Sequence, residues 1–199
     1  KNLRAEYKRP DLVMISEEIF SELDRESRDF YGPHWGFSWE FFFAEEPLEE
    51  VPGQAEVRFI SASSSEFEKY SAEIKEVLEG ANPITDALEN FSKLDWYAHF
   101  SEEGKITSVM GIEYHEHAIH FSGLGTNPLY RGKGYGSAVM VEAINDSLRR
   151  GHQAIYFGMW DWNQGARKLY RKLGIDSGGV LILGDSQPFE ELLAKLTDA

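Results

Sequence analysis

The run LYRGKGYGSAVM, residues 129–140, sets three glycines at alternate positions, with Arg131 in front and Lys133 inside. Glycine lets a backbone take positive φ and lets a ligand come close to the chain. An apolar repeat follows, with Ala138, Val141, Ile144 and Leu148 at three- and four-residue steps, which predicts a helix. A helix start offers unpaired N–H groups and the positive end of the dipole. Together these make an anion site, and phosphate is the usual guest. Arg131 and Lys133 add full charges. Arg149 and Arg150 fall near the negative end of the helix, and Gly151 marks its stop. A plain turn from strand to helix is the other use of such a glycine run.

Two phosphate loops can be compared with this one. A P-loop needs G-x-x-x-x-G-K-[ST]. Here Gly132-Lys133 is followed by Gly134, and Asn127 stands where the first glycine belongs. A dinucleotide loop needs G-x-G-x-x-G directly after a strand. Gly132, Gly134 and Gly136 give a different spacing, Ser137 replaces the third glycine, and Pro128 separates the loop from its strand. Neither pattern is met.

The elements that must hold this loop belong to a chain of 199 residues, enough for one domain with an appendage. Hydrophobic residues make up 42%, so a sizeable core is available. No apolar run approaches the roughly 18 residues of a membrane span, and no signal peptide is visible. There is no cysteine, hence no disulfide and no thiolate metal site. A cytoplasmic protein is the simplest expectation. The first residue is lysine, which leaves open a processed or excised piece of something longer. A net charge of −14 argues against nucleic acid as a partner and suits a cationic substrate such as an amine, or simply solubility.

Residues 1–52 differ from the rest and are read as an N-terminal extension packed on a main domain of 53–199. DLVMISEEIFSELDRESRDFY reads as a helix and SWEFFFAE as a strand. From residue 56 the pattern is regular. AEVRFISA predicts a strand with Ser63, Ser64 or Ser65 as the following helix cap. EFEKYSAEIKEVLEG predicts a helix and PITDALENFSK a short second one. Three strands follow to Asn127, turning near Glu103-Gly104 and near His115 to His117. After the loop and its helix come a strand (AIYFGMW), a helix (NQGARKLYRKLG), a strand (GGVLILG) and a last helix (PFEELLAKL). The order predicts an α/β (α+β) fold, a sheet covered by helices on its faces and without strict βαβ alternation.

The second segment of interest is NQGARKLYRKLGI. Asn163 is a candidate N-cap, and Ala166, Leu169, Tyr170 and Leu173 share one helical face. Tyr170 on such a face packs in a core or serves a site. Taken together, the two segments carry a resemblance. Arg131-x-x-Gly134-x-Gly136 resembles the R/Q-x-x-G-x-G/A signature of the GNAT acetyltransferase superfamily. Asn163-x-x-Ala166-x-x-Leu169-Tyr170-x-Lys172-x-Gly174 resembles its second motif, with Ile175 in place of a phenylalanine. The motifs lie in the family's order, one helix and one strand apart, and the element order is similar from about residue 56 to 184.

The resemblance implies a mixed, mostly antiparallel central sheet flanked by helices. It also implies an acyl-CoA donor, most simply acetyl-CoA as co-substrate, with no metal. The loop amides of Lys133 through Ser137, including Gly134, Tyr135 and Gly136, would hold the pyrophosphate beside Arg131 and Gly132. Backbone at Leu124, Gly125 and Thr126 would meet the pantetheine arm, with Gly123 and Gly125 leaving it open to close approach. Asn163 matches a cofactor contact, and Tyr170 the acid that protonates the leaving thiolate.

An amine acceptor must lose a proton to attack, directly or through water. EYHEHAIHFS offers Glu113, His115, Glu116, His117 and His120. His120 lies four residues before Leu124 on the same side of an extended strand, with a reference pKa of about 6.5. It is the candidate base, with a merely packed or solvated histidine as the alternative. The hairpin tip is expected to leave His115 and His117 in solvent, which counts against a metal site. Trp35, Trp39, Phe41, Trp160 and Trp162 read as core aromatics or as an acceptor pocket.

The expected activity is therefore N-acyl transfer to a small-molecule or peptide amine. A non-catalytic acyl-CoA sensor, or one domain of a larger protein fed by a carrier-protein thioester, are the other readings. Neither nucleic acid nor membrane is expected as a partner, and a second copy of the chain stays open as one. The family usually ends in two strands after the second motif. This chain offers one, so the segment from Trp39 to Phe43 is expected to pair with the sheet or cover the acceptor side.

Overall fold

The computed structural model describes residues 10–32, 34–83, 85–116, 118–185 and 189. The helix expected from PFEELLAKL, apart from Phe189, lies outside the described residues, and so does His117. Among the described residues the chain forms eight strands and five α-helices. They fall into two compact units. The first takes the described parts of Lys1–Phe42, Gly158–Lys168 and Asp176–Ala199. The second takes those of Phe43–Phe157 and Leu169–Ile175. No helix among the described residues is long and apolar enough to cross a membrane.

The first unit corrects the reading of residues 11–31. Strand β1 (Leu12–Ser16) precedes two short helices, α1 (Glu17–Glu22) and α2 (Arg25–Tyr31). Ser16 Oγ accepts from the Ile19 amide at 3.2 Å and Asp24 Oδ1 from the Ser27 amide at 2.7 Å, so each cap starts a new helix. β1 pairs antiparallel with β8 (Ser177–Asp185), Leu12 opposite Asp185, and this distant partner overrides the helical pattern. β2 (His34–Ala44) also pairs antiparallel with β8, Trp39 opposite Leu181. The aromatic segment thus joins a sheet with the last strand, the pairing expected of it. Phe37 takes φ +44° where the β2–β8 register shifts. Trp39 lies over Gly158 so closely that a Cβ there would fall 1.8 Å from its Nε1. Trp160 and Trp162 stack at 4.9 Å between ring centroids, with Trp39 edge-on to Trp160 at 4.8 Å. Arg167 Nε donates to the buried Glu40 carboxylate at 2.7 Å, giving that charge the partner its burial demands.

The second unit follows the regular pattern. β3 (Val57–Ile60), β4 (Asp95–Phe100), β5 (Ile106–Tyr114) and β6 (Ile119–Thr126) pair in succession, all antiparallel. β7 (Ile155–Trp160) runs parallel to β6 at Ile119 and His120. Helix α3 (Ser65–Ala81) starts at Ser64, whose Oγ accepts from the Phe67 amide at 3.1 Å. Instead of a second helix from PITDALENFSK there are two 3-10 turns, Asp86–Leu88 and Phe91–Lys93. Seven consecutive buried residues of β5, Ile106–Ile112, show that both faces of this sheet are covered. Ile74, Val77 and Leu78 of α3 pack with Ile60, Trp96, Ala98, Phe100 and Ile106. Helix α4 (Tyr135–Arg149) buries Ala138, Val139, Met140, Val141 and Ile144. Pairing is mostly antiparallel, in a mixed α/β fold.

Candidate active site

The loop before α4 has the backbone its sequence requires. Gly132 has φ +77° and Gly134 φ +89°, and a Cβ at either would meet nothing within 4 Å. Gly134 is the N-cap of α4 and supplies no side-chain hydrogen bond, so the amides of Tyr135, Gly136 and Ser137 begin the helix without a side-chain cap. Gly136 is required for a different reason. A Cβ on it would come within 3.1 Å of Thr126 Oγ1 and 3.4 Å of Leu169 Cδ1. Leu169 belongs to α5 (Gln164–Lys172), so this residue of the second motif sits against Gly136 of the first. Open space, bare amides and the helix dipole fit a phosphate group.

The two cations differ. Arg131 donates from Nε to the Thr126 carbonyl and from Nη2 to the Ala81 carbonyl, both at 3.4 Å. Ala81 ends α3, so the guanidinium ties that helix's negative end to the end of β6. Lys133 is exposed, with Nζ 5.2 Å from the centre of the Tyr130 ring. Tyr135 stacks on His99 at 4.2 Å, and His99 Nδ1 lies 2.7 Å from Thr107 Oγ1. Burial lowers the His99 pKa; the nearby Glu56 charge opposes this. The unfolded chain takes up this proton near a pH of about 6.5 while the fold resists it. Stability from neutral His99 is therefore fully present above that pH and declines below it. Urea midpoints should fall from pH 7.5 to 5.5, less steeply in His99→Asn.

β6 carries the break that matters. Val109 pairs with Gly125 but Gly111 with Ser122, so β6 holds one extra residue, a bulge at Gly123 and Leu124. Gly123 takes φ +68°. The glycines do not leave their side-chain side open, as the sequence suggested. A Cβ on Gly123 would lie 2.6 Å from Ala87 Cβ, and one on Gly125 2.9 Å from Ala81 Cβ. The close approach is made by α3 and the turn at Asp86–Leu88. Gly125 and Thr126 are further fixed by Ser108, whose Oγ donates to the Gly125 carbonyl at 2.8 Å and lies 3.0 Å from Thr126 Oγ1.

His120 pairs across the sheet with Glu113 on one side and Tyr156 on the other. Its ring stacks on Tyr156 at 4.9 Å, and its Nδ1 is 3.5 Å from Glu113 Oε2. His115 is half-exposed but turns back, its Nε2 3.7 Å from the same carboxylate oxygen. Glu113, His115 and His120 offer ligand atoms within 4.8 Å of one another, a grouping the expected hairpin tip did not suggest. Glu116 is exposed beside the turn.

Tyr170 is buried, edge-on to Phe157 at 4.9 Å. Burial pushes its phenol pKa well above the ordinary value, so the proton is always present but given up reluctantly. Asn163, in the first unit, caps α5: its Oδ1 accepts from the Ala166 amide at 3.1 Å. Sequence reasoning passed over Asp86. Its Oδ1 accepts from Ser122 Oγ at 2.9 Å, beside the bulge.

Solved structures share this fold at low identity. A GCN5-related N-acetyltransferase from Sphaerobacter thermophilus matches 88% of this chain and 61% of its own, at TM-score 0.64 and 16% identity. One from Kribbella flavida matches 89% of this chain and 69% of its own, at TM-score 0.61 and 17% identity. A GNAT-family acetyltransferase structure from Novosphingobium aromaticivorans DSM 12444 matches 78% of this chain and 69% of its own, at TM-score 0.59 and 19% identity. The chain spans less than two thirds of the Sphaerobacter protein. No curated protein matches. The acetyltransferase (GNAT) family model matches residues 58–175, and the chain belongs to that family.

Proposed function

We propose that the protein transfers acetyl from acetyl-CoA to a primary amine by direct attack within a ternary complex. The observation that carries this is the start of α4, bare of any capping side chain and open above Gly132 and Gly134, in a chain of the GNAT family. The amides from Lys133 to Ser137 would hold the pyrophosphate, with Lys133 adding charge. Arg131 acts by fixing the loop's entry. The bulge frees backbone at Gly123 and Leu124 from the ladder, and an N–H at Leu124 or Gly125 would receive the thioester oxygen as it gains charge. The backbone of Thr126 continues that contact. Asn163 is a cofactor contact on its match to the family motif. We take residues 53–199 as the acyltransferase domain and 1–52 as an extension that lends β1 and β2 to β8.

The neutral amine attacks the thioester carbon, a C–N bond forms, the C–S bond breaks, and the thiolate takes a proton. His120, through water, would accept the proton the amine gives up. Tyr170 would supply one to the sulfur, and its burial limits the contribution. Tyr170→Phe should lower kcat by about threefold to tenfold, less than the roughly 10²–10⁴-fold typical of a general acid because burial holds the phenol proton back. Acetyl-CoA affinity should stay within twofold. Unchanged kcat would remove Tyr170 from the reaction.

Calorimetric titration with acetyl-CoA, with NAD and ATP as controls, tests the reading. Micromolar binding of acetyl-CoA alone supports it. Equal binding of all three, or of none, overturns it.

A further inference from the structure

The proton acceptor read from the sequence stands far from the reaction. Along an extended strand each residue advances about 3.3 Å, so His120 lies about 13 Å from Leu124 and Ser122 only about 7 Å. The carboxylate that Ser122 holds therefore stands beside the bulge, on the turn that packs against Gly123. Ser122 Oγ donates to Asp86 Oδ1 at 2.9 Å, and Thr85 Oγ1 to the same oxygen at 3.4 Å. The turn carrying Asp86 is pressed on the bulge. A Cβ on Gly123 would meet Ala87 Cβ at 2.6 Å and Thr85 Oγ1 at 3.6 Å. Asp86 is exposed and, among the described residues, forms no ion pair. A fixed carboxylate without a cation, at the break in the strand, is a place for a positive charge.

We infer that Asp86 binds the ammonium group of the acceptor and holds it beside the bulge of β6, selecting amines that arrive charged. The inference rests on the proposed acyl transfer and names its acceptor site. A carboxylate is far too weak a base to take a proton from an alkylammonium ion. Asp86 therefore anchors and orients the cation, and the proton leaves by water toward His120. Ser122 and Thr85 use one oxygen and leave Oδ2 to the ammonium.

The test is a titration of the whole chain with tyramine, spermidine and lysinamide, followed by the amide NMR signals of Ser122 and Gly123. Acetyl-CoA affinity is measured in parallel by calorimetry. Saturable shifts are expected with at least one amine. Asp86→Asn should weaken that amine about tenfold or more and leave acetyl-CoA affinity within twofold. Asp86→Glu should restore part of the loss. N-Acetyltyramine, uncharged at the same nitrogen, should bind wild type and Asp86→Asn alike. Amines that shift neither signal, or that bind Asp86→Asn as tightly as wild type, overturn the inference. Failure of acetyl-CoA to bind instead overturns the proposed reaction, and the amine titration still judges Asp86.

Discussion

Gly134→Val should lower acetyl-CoA affinity about a hundredfold while leaving the protein folded. The site has φ +89° and ψ −1°, and a Cβ there would touch nothing within 4 Å. The side chain therefore meets no wall; the cost is in the backbone. A left-handed conformation costs an L-residue roughly 1–2 kcal/mol, and β-branching adds to it. The strain is relieved by rotating the peptide ahead of Tyr135. That turns the first amides of α4 out of register and places an isopropyl group over them. Each amide bond to a charged oxygen is worth about 1.5–3 kcal/mol, so losing one or two gives the hundredfold fall. The buried residues from Ala138 to Ile144 hold the rest of α4, so global stability should drop by only about 1–3 kcal/mol. Gly104→Val is the control. Gly104 also has positive φ (+75°) and open space, but it turns the hairpin between β4 and β5. It should lose similar stability and keep its acetyl-CoA affinity. If Gly134→Val is destabilised yet binds acetyl-CoA unchanged, the loop does not hold the cofactor.

What could be read ahead of the structure was local. The glycine run, the apolar repeat of α4, the Asn163 cap and the hairpin at Gly104 each announce themselves within a few residues. Hence α4, α5 and β4 to β6 fall where expected. The errors share a cause in distant partners. Leu12–Ser16 is a strand because Asp185 to Leu181 lie opposite it, and nothing near residue 12 says so. Residues 86–93 break into two turns where the first of them is pressed on Gly123. That contact explains the misreading of Gly123, and the approach of Ala81 in α3 explains that of Gly125. A glycine in a strand announces close approach without saying whether a ligand or a helix approaches. Asp86 had no signal at all: one acid among 34, made distinctive only by Ser122 across the fold.

Gly123→Ala should be among the most destabilising single-methyl changes in the second unit, at about 2–5 kcal/mol. Two costs add. The φ of +68° carries the left-handed penalty of roughly 1–2 kcal/mol. The new methyl would lie 2.6 Å from Ala87 Cβ and 3.1 Å from Leu78 Cδ1, both on fully packed residues, and overpacking costs typically about 1–3 kcal/mol. Ala87 has no rotamer with which to move aside, so its backbone must shift. Gly125→Ala separates the two costs. Its methyl would meet Ala81 Cβ at 2.9 Å, but Gly125 is not among the positive-φ residues. It should cost only the overpacking share, and urea denaturation of the pair measures the difference as the bulge's own strain. Equal losses would mean the bulge imposes none. The shift also has a direction. Moving the turn at Asp86–Leu88 off the bulge draws Asp86 from Ser122, so Gly123→Ala should weaken amine binding while Gly125→Ala weakens it less. Strain at one glycine thus links the packing of α3's face to the position of the Asp86 carboxylate.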